Sequence, residues 1–206
     1  MSNREALNSL LLDVIRQRRS IRRYQERPIS PGLIDMLIEA AVWAPSAHNR
    51  QPWRLAILRS AASREALARA MGDQLRRDLE ADGVPEAQIL QDTGRSYRRM
   101  VGAAASIVLC LTMADMDRYA DSARQAAEHQ MAVQSTAMAG QNLLLMVSAS
   151  GLGACWMCAP LFCSDVVREV LDLPADWEPQ ALITIGYPDE TRTKTRENLE
   201  SRVVWR

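Results

Sequence analysis

The chain has 206 residues, enough for one domain that buries most of the surface its unfolded form would expose, and too few for a second catalytic domain. Lys plus Arg and Asp plus Glu are 25 each, so no overall field favours nucleic acid or an anionic membrane, and any anion site must be local. No stretch approaches the roughly 20 apolar residues that span a bilayer, and the N-terminus lacks a secretory pattern, so a cytoplasmic protein is expected.

In chain order, Leu7, Leu10, Leu11, Val14 and Ile15 recur at three- and four-residue steps and predict an amphipathic helix over about Arg4 to Arg18. Ser30 can cap a second helix that begins at Pro31, carries Leu33, Ile34, Leu37, Ile38, Ala41 and Val42 on its apolar stripe, and ends at Pro45. Trp53 to Leu58 reads as a short strand, and Ser63 opens a helical stretch to about Glu80. Ala81 to Tyr97 is polar and broken by Gly83, Pro85 and Gly94, which predicts a mobile connection able to act as a lid.

Ser106 to Met113 is a nearly continuous apolar run, as in a strand covered on both faces. Ser122 to Ser150 carries the longest helical signal, ended by Gly151, and its second half is apolar nearly all round, so other elements must enclose it. Ala154 to Met157 reads as extended, Asp165 to Leu171 as a short helix, and Ala181 to Tyr187 as a second buried strand. Strands and helices are interspersed without regular alternation, which predicts an α+β sandwich of helices around a sheet.

Three segments could carry chemistry. Five of the eight residues from Arg16 to Arg23 are arginine, and guanidinium forks with a neighbouring serine hydroxyl suit a phosphate. The bland reading is that arginine supplies 24 of the 25 basic residues and suits a helix C-terminus anyway. The loop APSAHNRQPW, Ala44 to Trp53, offers Ser46, Asn49 and Gln51 to the polar edge of a heterocycle, while His48 reads as solvated rather than catalytic. The glycine pair Gly151 and Gly153 permits close approach of backbone to a planar ligand, but the third glycine of a dinucleotide fingerprint is missing.

Cys110, Cys155, Cys158 and Cys163 have mainly apolar neighbours, as expected of reduced, buried thiols. Cys155 and Cys158 have dithiol spacing without a thioredoxin-like setting, so the structural reading is favoured and a metal site is not expected.

Taken together, RRSIRRY at Arg18 to Tyr24, Pro28-Ile29, APSAHNRQPW, GLGACW at Gly151 to Trp156 and IGYP at Ile185 to Pro188 resemble the nitroreductase family. The resemblance implies a sandwich of helices around a central mixed sheet, with the long helix at a homodimer interface. It implies FMN held between subunits, NAD(P)H as donor, and a small-molecule acceptor such as a nitroaromatic, a quinone or a conjugated double bond. Arg18, Arg19, Ser20 and Arg22 would hold the phosphate and ribityl chain, with Lys194 and Arg196 completing the clamp. Pro45, Ser46, Ala47 and Asn49 would approach the ring from the other subunit, and Gly153, Ala154 and Cys155 would line the isoalloxazine. Since the flavin carries the hydride, no catalytic side chain is assigned.

Within the family, the stretch from Gly151 to Pro188 looks closest to the nitroreductase-like half of the bifunctional ligases that complete the deazaflavin coenzyme. That leaves reduction of a dehydro precursor as an alternative. An FMN-storing or FMN-sensing protein without turnover is the alternative of another class.

Overall fold

A computed structural model describes residues 3–206. The first helix, α1, spans Asn3–Gln17, and none of its residues is buried. Helix α2 (Pro31–Val42) starts as its sequence dictates, with Ser30 Oγ accepting from the Leu33 N–H and Pro31 in the first turn. A single 3-10 turn at Ala47–Asn49 leads into β1 (Trp53–Leu58). Helix α3 (Ala61–Ala81) starts two residues before the expected Ser63, because Ser60 is the cap and accepts from the Ser63 N–H at 3.0 Å.

The expected mobile connection is instead a second helix, α4 (Glu86–Val101), packed antiparallel against α3 with Ile89 and Met100 buried. Pro85 occupies its N-cap, where a missing N–H costs nothing, and burial of the apolar side chains outweighs the glycine in its middle. Strand β2 (Ala105–Thr112) follows, then the long α5 (Ser122–Ala149), capped by Asp121 through the Arg124 N–H at 2.9 Å. Strand β3 (Gly153–Met157), the short α6 (Ser164–Val170) and β4 (Trp177–Gly186) complete the core.

The four strands lie in the order β1-β2-β4-β3 and every pair is antiparallel. The mixed sheet expected from the resemblance reduces to one parallel bridge, Ser20 with Ala154, outside the named strands. Every residue of β2 is buried, and its two faces feed separate cores. Ile107 and Leu109 pack with Ile34, Leu37, Leu143, Val147, Ile183 and Ile185 toward α2 and α5. Val108 and Cys110 pack with Leu67, Met71, Met100, Val167 and Leu182 toward α3, α4 and α6. A continuous apolar run is thus what a strand covered on both faces requires.

Helix α5 is enclosed on one side only, with Ala132, Ala139, Leu143, Leu144 and Val147 inward, Leu145 and Met146 half-buried beside α1, and Met138 exposed, so the enclosure expected for its second half is incomplete within one chain. Among the described residues, no helix is long and apolar enough to cross a membrane.

Candidate functional site

After α1 the chain runs extended across the end of the sheet, where backbone pairing on both sides holds it. The Ile21 N–H donates to Ala154 O at 2.9 Å, the Gln25 N–H to Tyr187 O at 2.9 Å, and the Asp189 N–H to Arg23 O at 3.0 Å. Tyr24 anchors the segment: its hydroxyl meets Ile21 O at 2.5 Å and Thr184 Oγ1 at 2.8 Å, and burial pushes the phenol far above its usual range.

Gly153 leaves room for Ile21, whose Cβ would lie 2.7 Å from a methyl placed there. Gly151, at φ +71°, closes the turn after α5. The sequence reading assigned this glycine pair to the approach of a planar ligand; within the protomer the chain itself uses both, one for a left-handed turn and one for packing.

With Ile21 turned into the core, its polar neighbours face outward. Arg18, Arg19, Ser20 and Arg22 line a cavity of about 380 Å3 together with Arg192, Thr193, Lys194 and Arg196. Six cations and two hydroxyls face this space, and no carboxylate lines it. Arg19 Nε is buried there with no protein partner, an unmet donor of the kind a phosphate oxygen satisfies. The residues therefore fit the phosphate of FMN.

Arg192 and Thr193 are members of this set that sequence reasoning missed. The alternation of basic and hydroxyl residues from Arg192 to Arg196 is the signal that could have found them. Glu190 orders both walls: its carboxylate accepts from the Arg22 N–H at 2.6 Å and pairs with Arg192 at 2.6 Å. Burial raises the acid, but Arg192 and the backbone donors outweigh it and hold the carboxyl below its ordinary range.

A smaller cavity of about 230 Å3 adjoins the first and shares Arg18, Arg19 and Arg192 with it. Ile21, Leu144, Val147, Leu152, Ala154 and Pro188 supply its apolar walls. Of the three residues expected beside the ring, only Ala154 reaches either cavity, while Gly153 and Cys155 are buried in β3.

Pro45, Ser46, Ala47 and Asn49 line neither cavity. They sit at the start of β1 beside the middle of α5, where the Ala47 N–H donates to Ser135 Oγ at 3.1 Å. The Gln51 N–H donates to Ser46 Oγ at 3.0 Å, and Arg50 pairs with Asp117 at 2.5 Å. These ties hold His48, Asn49 and Gln51 in the left-handed region at φ 50°, 54° and 51°. Such conformations cost about 1 kcal/mol or more each and persist only where the surroundings impose them. His48 itself is exposed, as the solvated reading expected.

Cys155 is buried within β3, whereas Cys158 lies just past its end and is exposed. Cys158 Sγ accepts from Trp156 Nε1 at 3.2 Å on the face that packs on Gly140 of α5, whereas Cys155 faces Arg22 and Arg99. Burial first, offset in part by those guanidiniums, raises the Cys155 thiol above its usual range.

An antiparallel sheet flanked by helices, with a carboxylate-free basic cavity at one edge, defines the class of architecture. The model of the nitroreductase family matches residues 15–187, and the chain belongs to that family. A Thermus thermophilus protein named NADH dehydrogenase is 32% identical over 202 residues, covering 92% of this chain and 93% of its own. A Methanothermobacter thermautotrophicus protein, named as an NADH dehydrogenase/NAD(P)H nitroreductase, is 30% identical over 183 residues, covering 87% of this chain and 78% of its own. Among solved structures, a nitroreductase-type protein from Desulfovibrio desulfuricans in complex with FMN superposes with a TM-score of 0.74 at 27% identity, covering 95% and 96% of the two chains.

Proposed function

We propose that this oxidoreductase of the nitroreductase family is an FMN enzyme, and that it takes the FMN phosphate into the cavity lined by Arg18, Arg19, Ser20, Arg22, Lys194 and Arg196. The observation that carries the reading is the carboxylate-free lining with an unmet buried donor at Arg19 Nε. The adjoining apolar slot suits a ligand with an anionic end and an apolar body. The relatives' names support NAD(P)H as the electron donor.

When bound, FMN would accept a hydride from the nicotinamide and pass it to an acceptor. The chain's own part is to bind and orient it. Guanidinium forks fix the phosphate in position and direction, and the pinned extended backbone from Ser20 to Tyr24 keeps them in register. In this reading the FMN site is shared in a homodimer. The rigid, left-handed loop carrying Pro45, Ser46, Ala47 and Asn49 would come from the partner subunit, since its own subunit's cavity lies elsewhere.

Purified protein should be yellow and its flavin absorbance should bleach with NADH or NADPH. An acceptor screen would cover nitroaromatics, quinones and conjugated double bonds, including a dehydro precursor of the deazaflavin coenzyme. For Arg18→Ala combined with Arg22→Ala, FMN affinity should fall by tenfold or more, about 1.4 kcal/mol or more, with the circular dichroism spectrum retained. Unchanged affinity would refute the clamp.

A further inference from the structure

A second basic cavity, of about 680 Å3, lies on the α4 side of the same edge. Its cations come from three separate stretches: Arg22 and Arg23 after α1, Arg95, Arg98 and Arg99 on α4, and Arg192 after β4. Asp189 and Glu190 are the acids that line it and Asp92 pairs with Arg95 at 2.5 Å, which leaves three cations in excess on a chain whose total charge is zero. Glu190 is already engaged by Arg192, Arg23 and the Arg22 N–H.

Folding alone does not call for this arrangement. Cations suit the last turn of α4, which accounts for Arg98 and Arg99, but not for the guanidiniums that the other two stretches bring to meet them. Arg95 and Arg99 are also one turn apart, where like charges repel. Burial, and then the charges of Arg22 and Arg95, hold the Arg99 guanidinium below its usual range, so the basin is crowded with like charge that an anion would relieve.

We propose that this basin binds a small molecule carrying two or more phosphoryl groups, next to the FMN-phosphate clamp but separate from it. Its volume falls within the range of ligand sites and far exceeds that of one phosphate ion. Several guanidinium forks at once match several phosphoryl groups. The proposal rests on the FMN reading in one respect: Arg22 and Arg192 line both cavities, so FMN in the clamp is what keeps an added phosphoryl ligand out of it and in the basin. Two sources share this chemistry, the pyrophosphate and 2′-phosphate of NADPH, and a phosphorylated acceptor.

The test is isothermal titration calorimetry of the FMN-loaded protein with adenosine 2′,5′-bisphosphate, pyrophosphate, orthophosphate and a 20-nucleotide single strand. The bisphosphate and pyrophosphate should bind, orthophosphate much more weakly, and Arg98→Glu with Arg99→Glu should weaken the bisphosphate tenfold or more while flavin absorbance stays unchanged. Arg98→Gln with Arg99→Gln gives a milder variant should the reversal of charge disturb folding.

No heat with the bisphosphate, equal affinity in the variants, or tighter binding of the single strand would overturn the proposal. So would loss of FMN from the variants, which would make the basin part of the FMN site. A protein that takes up no FMN defeats the earlier reading alone, because the loss of bisphosphate affinity in the Arg98 and Arg99 variants, residues that line the basin and not the clamp, still reads the basin. Steady-state kinetics separates the sources. A raised KM for NADPH, with a smaller or no rise for NADH, which shares the pyrophosphate but lacks the 2′-phosphate, supports the donor, whereas weakened bisphosphate binding with both KM values unchanged supports a phosphorylated acceptor.

Discussion

Cys110 shows how a residue that does no chemistry can still govern stability. It is fully buried in β2 between Leu67, Met100 and Leu182, and burial pushes its thiol from 9.0 up to about 12. In the unfolded chain the thiol ionises near its ordinary value, so the two states bind the same number of protons below pH 9. Between pH 9 and 12 the unfolded chain holds fewer, and stability falls as pH rises, by up to about 1.4 kcal/mol per pH unit for this one group. Tyr24 and Cys155 shift in the same direction and steepen the limb. Chemical denaturation at pH 7.5 and 10.5 should therefore show a loss in the wild type that Cys110→Ala reduces by about 2 kcal/mol; equal losses in the two proteins would contradict it. The buried, reduced character of Cys110 and Cys155 was legible from their apolar neighbours. The exposure of Cys158 was not, since it depends on the chain turning after β3.

Among the elements, α4 marks where local punctuation misleads. Gly83, Pro85 and Gly94 look like breakers, yet Gly83 sits in the turn before the helix at φ +72° and Pro85 at its N-cap, so only Gly94 lies inside. The helical signal was a sparse stripe, Ile89, Thr93, Tyr97 and Met100, which finds its partners only once α3 and the sheet are in place. A methyl at Gly94 would meet nothing nearer than Arg98 Nη1 at 3.3 Å, the free end of a flexible side chain. Gly94→Ala should then add up to about 1 kcal/mol of stability and raise Tm by a few degrees. A lower Tm would mean that the glycine serves packing invisible in this arrangement. Strands with strong patterning, β1 above all, were legible to the residue, because six consecutive residues between a proline loop and a capping serine leave little freedom. The clamp was legible in its first half, where Arg18 to Arg22 are contiguous. Arg192 and Thr193 were missed, because their alternation of basic and hydroxyl residues is a weak signal until the fold brings the tail beside Arg18 to Arg22.

At the scale of the molecule, one protomer leaves its apolar material unfinished. Leu7, Leu10 and Leu11 are 63%, 63% and 55% exposed on α1, a helix that buries nothing, and with Val14 they form an apolar groove against Leu145 and Met146 of α5. Near the C-terminus, Leu199, Val204 and Trp205 are 68%, 70% and 89% exposed. Apolar surface of this kind suits an interface, and we propose that a second copy of the chain covers it, the same stripe meeting itself across a twofold axis. The site points the same way, because the strained Pro45–Asn49 loop and the arginine clamp sit apart in one subunit although the FMN reading needs both at one ligand. Sedimentation velocity at micromolar concentration should report a dimer. Leu10→Glu with Leu11→Glu replaces side chains that are not buried in the protomer, so its helical content should persist while the dimer dissociates and FMN is lost on dilution. A wild-type monomer that holds FMN, or a charged variant that stays dimeric with its flavin, would place the interface elsewhere and leave the clamp to work within a single subunit.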